Sequence, residues 1–229
     1  LLSDYFLAIL EGAVLTVGVS LCALAVSIAL GLLGAVSRLS AVVPLRAVAT
    51  LYTTIIRGIP DLVLMLLVFY GGTILANEAL EAMGSEATVD INPFMAGVLT
   101  IGFIYGAYMT EVFRGAILSI PKGQAEAARA YGMTRLQTFF LITVPQMVRY
   151  ALPGFTNCWL VLIKATALVS LIGLQDMTYI AKQASAAARE PFIFFLFTGG
   201  LYLAYTWVSL VLLKRLNARY SLGVKQARL

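Results

Sequence analysis

The chain has 229 residues, 61% of them hydrophobic and 12% charged, with 16 Lys and Arg against 11 Asp and Glu and no His. A mean hydropathy of +0.92 is far above that of a soluble domain and marks an all-α integral membrane protein. The missing imidazole removes His metal clusters and a His general base, and the +5 balance sits between apolar segments, where membrane topology explains it better than nucleic acid does.

The first residues, LLSDYFLAILEG, carry Asp4 and Glu11 and lack the basic region of a signal peptide, so the first apolar segment is expected to stay as a span. A span needs roughly 20 apolar residues, and the charge-free runs predict five helices near 9–36, 51–76, 93–114, 150–174 and 191–214. Cys22 and Cys158 fall in separate apolar segments and read as small buried hydrophobes. There is no internal repeat, and residues 1–229 are expected to form one transmembrane domain.

The connections set the direction. Arg38, Arg46 and Arg57 follow the first apolar run, whereas Glu78, Glu81, Glu86 and Asp90 follow the second. Arg114, Lys122, Arg129, Arg135 and Arg149 surround the third connection, and Lys214, Arg215, Arg219, Lys225 and Arg228 the tail. Positive charge prefers the cytoplasm, so the N-terminus is expected outside and the C-terminus inside. Lys182 and Arg189 lie beside Asp176 and Glu190 in the fourth connection, which weakens this pattern without reversing it.

Span two contains RGIPD, where Gly58 and Pro60 interrupt the helix and Arg57 and Asp61 bring charge into the membrane. Intramembrane charges line cavities or pair with one another, and broken helices are where transporters hold substrate. Two readings stand: a substrate site, or Asp61 stabilising a helix start with Arg57 paired to Glu111 or Asp61. Tyr70, Tyr105 and Tyr108 are candidates to stack on a cation or to anchor the interface. In span four, Asn157 offers a polar contact and Lys164 is the lone charge, suited first to neutralising Glu111 and otherwise to meeting a substrate carboxylate or closing a gate near Asn157.

The third connection holds SIPKGQAEAARAYG. Pro121 suits a helix start and Gly132 a helix stop. Thr134 and Gln137 form a capping box for a second helix expected to stop near Pro145, so 119–145 reads as a helix-turn-helix beneath the membrane. Glu126 and Arg129 are spaced to pair on one face. Alanines 125, 127, 128 and 130 leave the backbone open to a docking partner, although an interfacial helix merely bridging two spans has the same composition.

EAARAYG, followed by nine residues, then Ile142, Val144 and Pro145, resembles the cytoplasmic signature of binding-protein-dependent ABC importer permeases, with Val144 in place of the usual Leu. The stretches 51–72, 105–128 and 149–174 are similar to the polar amino acid permeases, and look like the membrane subunit of histidine/lysine/arginine/ornithine-type importers. The resemblance implies a type I ABC importer permease fold in a bacterial inner membrane. It implies that Pro121 to Gly132 is a coupling helix, with Glu126, Ala127, Ala128, Arg129, Gly132 and Pro145 meeting a cytoplasmic ATP-binding subunit present in two copies. A second permease subunit, related or identical, and an extracytoplasmic solute-binding protein complete the implied assembly.

No G-x-x-x-x-G-K-[ST] occurs, so ATP is expected on a partner, with no cofactor, metal site or catalytic residue in this chain. Many relatives carry an apolar residue after RGTP whereas basic amino acid importers tend to carry a carboxylate, which favours a basic cargo at Asp61. The expected function is therefore ATP-driven import of a polar, basic amino acid, arginine, ornithine, lysine or histidine. The rivals are an ATP-independent secondary transporter or channel and, less favoured, an intramembrane enzyme.

Overall fold

The computed structural model describes residues 2–84, 87–88 and 91–220. Glu86, Asp90, Lys225 and Arg228, which contributed to the orientation reading, lie outside them. Among the described residues there are helices and no strands, and five helices are long and apolar enough to cross a bilayer.

The first span, Leu2–Leu39, has 38 residues; at 1.5 Å per residue it reaches about 57 Å, more than the roughly 30 Å hydrocarbon core requires. The third, Pro93–Leu118, starts with Pro93 in the first turn and the Asn92 side chain accepting from the Phe94 N–H at 2.8 Å. It is the shaft of the molecule, because 72% of its apolar window is buried.

These two helices run parallel and touch through glycines on both. A Cβ added at Gly102 would meet Val26 Cγ1 at 2.5 Å, one at Gly106 would meet Leu30 Cβ at 2.8 Å, and one at Gly31 would meet Met109 Cβ at 2.5 Å. In lipid, where apolar side chains gain nothing by leaving tails, such backbone proximity and its dispersion energy hold helices together. Ser27, whose hydroxyl donates to Ala23 O at 2.7 Å and lies 3.3 Å from Gly102 O, adds a polar link.

The second predicted span is corrected. Instead of one helix over 51–76, Val43–Gly58 ends first, Ile59 is extended (φ −110°, ψ 138°), and a new helix starts after Pro60. Pro60 has no N–H to offer and drives the residue before it out of the helical region. The spanning element is Asp61–Ala82, widened by a π turn at Leu67–Gly71. Val43–Gly58 turns one stripe, Ala49, Thr53 and Ile56, toward the shaft and leaves the rest open.

The third connection contains Lys122–Ala130, with Pro121 before it and Gly132 at φ 80° after it. The Gly132 N–H donates to Arg129 O at 2.9 Å and the Met133 N–H to Ala128 O at 3.1 Å, the paired bonds of a left-handed helix stop. Thr134 and Gln137 make the expected capping box: the Gln137 N–H donates to Thr134 Oγ1 at 3.2 Å and the Thr134 N–H to Gln137 Oε1 at 2.8 Å.

The helix they open does not stop at Pro145. It continues as the fourth span, Arg135–Ile172. A π stretch at Phe139–Thr143 loosens the turn before Pro145, which accommodates the missing donor and the proline ring. The fourth span therefore begins 15 residues before the expected 150 and packs on the shaft with Trp159, Leu162 and Ile163 buried.

A helix without a sequence-based counterpart, Met177–Ala188, precedes the fifth span, Pro191–Tyr220. Asp176 starts it: Oδ1 accepts from the Tyr179 N–H at 2.9 Å, while Oδ2 is buried without a partner in hydrogen-bonding geometry. Burial pushes this carboxyl from 3.8 up to about 6, against the N–H groups of Tyr179 and Thr178 that hold it down. Between those values the folded chain binds more protons than the unfolded one, so stability is greatest below the lower value and falls as pH rises through the higher. The thermal midpoint of the purified chain is thus expected to drop from pH 4 to about pH 6. Asp176→Asn should flatten that slope, and an unchanged slope would assign the dependence to other groups.

Candidate functional site

The break at Ile59 and Pro60 places a cation at the end of one helix and an anion at the start of the next. Asp61 is the first residue of the second span and is half-buried; the Tyr105 hydroxyl, from the buried shaft, donates to its Oδ2 at 2.9 Å. One turn along, the Tyr108 ring lies 5.6 Å from that of Tyr105, and the Arg57 guanidinium sits 5.4 Å from its centroid. Arg57 thus faces an aromatic surface that attracts cations through its π electrons. Cys158 of the fourth span is buried in the apolar cluster that packs against Tyr108.

A turn further, Glu111 accepts from Arg114 Nε at 3.0 Å and Nη2 at 2.8 Å and pairs with Arg38 Nη2 at 3.3 Å. A cavity of about 400 Å³ lies against this strip, bounded by Arg38, Thr53, Thr54, Arg57, Tyr108 and Glu111. Along Tyr105, Tyr108, Glu111 and Arg114 each residue neighbours the next at the three-residue spacing, and the series winds about half way around the helix.

Several expected pairings differ. Glu111 is neutralised by Arg38 and Arg114; neither Arg57 nor Lys164 forms an ion pair among the described residues. Arg38, 73 positions before Glu111, carried no spacing signal, whereas Glu111 and Arg114, three apart, did. Tyr105 holds Asp61 by its hydroxyl instead of offering its face alone. Tyr70 is exposed, with its ring against Phe69 at 5.0 Å, and no described contact brings it to Asp61. Asn157 and Lys164 are exposed and seven residues apart on one face of the fourth span, and no described contact joins either to Asp61.

The loop helix buries Ala128 and leaves Glu126 and Ala127 outward, with Tyr131 at its end 90% exposed. Glu126 and Arg129 do not pair. Arg129 Nε donates to Ala125 O at 3.1 Å, since two solvated side chains gain little by meeting. Pro145 lies within the continuous fourth span beyond the π stretch.

Residues 27–222 match the family described as binding-protein-dependent transport system inner membrane component. The chain is 49% identical over 96% of both chains to the histidine/lysine/arginine/ornithine transport system permease protein HisQ of Escherichia coli (strain K12). It is 41% identical to the octopine transport system permease protein OccQ of Rhizobium radiobacter, covering 87% of this chain and 84% of that one. A similar solved structure, the crystal structure of an amino acid ABC transporter with histidines, superposes with a TM-score of 0.79 at 29% identity, covering 95% of this chain and 96% of the other.

Proposed function

The chain belongs to the binding-protein-dependent transport system inner membrane component family, a permease subunit of an amino acid ABC importer, and on that premise we propose that its cargo is a basic amino acid. The observation that carries the cargo reading is Asp61, a carboxylate presented at a helix break and oriented by Tyr105. A fixed carboxylate at membrane depth favours an ammonium or guanidinium, whose desolvation would otherwise be costly. Arg57, across the break, is suited to the carboxylate that every amino acid bears. The names of the basic amino acid and octopine permeases agree with a cargo that bears a cationic side chain.

Residues 1–229 act as one transmembrane domain in this reading, with 119–145 as its coupling region. Lys122–Ala130 docks into an ATP-binding subunit through Glu126, Ala127, Arg129 and Gly132, with the exposed Tyr131 beside them, while the buried Ala128 seats the helix on its own chain rather than on the partner. Pro145, beyond the π stretch, carries the motion of that region into the fourth span. ATP and its hydrolysis belong to that partner, present twice, and the permease holds no cofactor or metal. A solute-binding protein delivers the ligand from outside, where the N-terminus lies, and the C-terminus faces the cytoplasm of a bacterial cell. A second permease subunit, identical or related, covers the strip holding Asn157 and Lys164 and brings those groups, with Tyr70, to the pathway.

Transport assays on the assembled complex in proteoliposomes test this function. Labelled arginine should accumulate only with solute-binding protein outside and hydrolysable ATP at the ATP-binding subunits, with competition from lysine or ornithine and none from leucine. Accumulation without ATP would assign the chain to an ATP-independent transporter instead.

A further inference from the structure

The end of the bundle nearest the Lys122–Ala130 helix carries a second cavity, of about 560 Å³, which the transport reading leaves unused. Its charged walls are Arg38, Arg46 and Arg114, joined by Thr50 and Thr54. Glu111 stands behind this wall and neutralises one guanidinium, so three cations less one anion leave a surplus of two positive charges. Two of the three are oriented in advance: Arg114 by both of its bonds to Glu111, and Arg38 by Glu111 and the Thr50 hydroxyl. Arg46 is exposed, and its side chain makes no hydrogen bond or ion pair among the described residues.

Guanidinium forks held in this way match the oxygens of a phosphate, to which Arg donates paired bonds. The cavity is also amphiphilic. Leu51 lines it and continues into an uncovered apolar strip on Val43–Gly58, with Val48 67%, Leu51 61% and Ile55 46% exposed. The three are spaced as neighbours on one helix face.

We propose that this cavity is a binding site for an anionic phospholipid of the adjoining leaflet, with its phosphate among Arg38, Arg46 and Arg114 and an acyl chain along Val48, Leu51 and Ile55. A lipid supplies negative charge and hydrocarbon together, as the two adjoining surfaces demand. A second copy of this chain seated on the same face would instead bring the same arginines against them. The proposal rests on the membrane placement of the chain and is independent of its cargo.

Native mass spectrometry of the full-length chain in neutral detergent, titrated with phosphatidylglycerol, phosphatidylcholine or inorganic phosphate, tests it. One phosphatidylglycerol should bind saturably and more tightly than phosphatidylcholine. Arg46→Gln should weaken it on the order of tenfold, and Arg219→Gln, at the end of the fifth span, by less than about twofold. Equal losses in both variants would reduce the effect to diffuse attraction and overturn the site. Complete displacement by millimolar inorganic phosphate would overturn the lipid as its source, and loss of the lipid on assembly of the whole transporter would assign the face to a protein partner. Because the readout is lipid retention, a failed arginine uptake assay leaves this result untouched.

Discussion

Replacing Asp61 with asparagine is expected to reduce arginine uptake by about ten- to a hundredfold while changing uptake of a neutral amino acid by less than about threefold. The range follows from the roughly 1.5–3 kcal/mol that a hydrogen bond to a charged partner contributes, at about 1.4 kcal/mol per factor of ten. Asparagine keeps an oxygen able to accept from the Tyr105 hydroxyl, so the contact at 2.9 Å between the second and third spans is retained and only the charge is lost. Asp61→Leu removes both and should be worse for every substrate, but still worst for arginine and lysine. Initial rates for two cationic and two neutral amino acids, measured in one complex, make the comparison. Equal losses across all four would leave Asp61 with a purely structural task, that of stabilising the start of the helix after Pro60 through its charge.

The second large effect is at Gly132. Its φ of 80° belongs to the left-handed region, where a side chain costs roughly 1–2 kcal/mol. A Cβ there would meet nothing within 4 Å in this chain. Strain and steric obstruction can therefore be separated. Gly132→Asn tolerates the conformation and should lower co-purification of the ATP-binding subunit by less than about threefold, whereas Gly132→Trp adds bulk into the open space where we propose that the partner docks. We expect the tryptophan variant to lose association by more than about tenfold and to abolish uptake, an estimate that combines the backbone cost with the clash. Its helical content by circular dichroism should stay normal, since the site lies outside the buried clusters. Intact association and uptake in the tryptophan variant would remove the coupling role from Lys122–Ala130.

Both predictions concern residues that the sequence singles out, but the structure changes what surrounds them. The cap at Thr134, the stop at Gly132 and the interruption before Asp61 were legible because each is a local rule: a side chain satisfies a nearby backbone group, or a proline withholds one. RGIPD reads from sequence as an interruption inside one span, whereas Pro60 divides two elements, because the break it enforces is complete only when the chain on either side packs separately. The continuation through Pro145 escapes sequence reading for the opposite reason. A π turn can relieve a proline, and no spacing in the chain announces one. Met177–Ala188 had a usable signal in Asp176, a good starting residue for a helix, hidden by the mixed charges around it.

Sequence alone determined the membrane class, the number of spans and the existence of the Lys122–Ala130 helix. Hydrophobic run length and end residues act over one or two turns and are written consecutively. Tertiary structure decided who meets whom: Arg38 with Glu111, Tyr105 with Asp61, Arg57 over Tyr108, and glycines of the first span against the third. Those contacts depend on how helices settle side by side, a choice made by close backbone packing and by the cost of an unpaired charge in lipid. Neither has a fixed spacing along the chain.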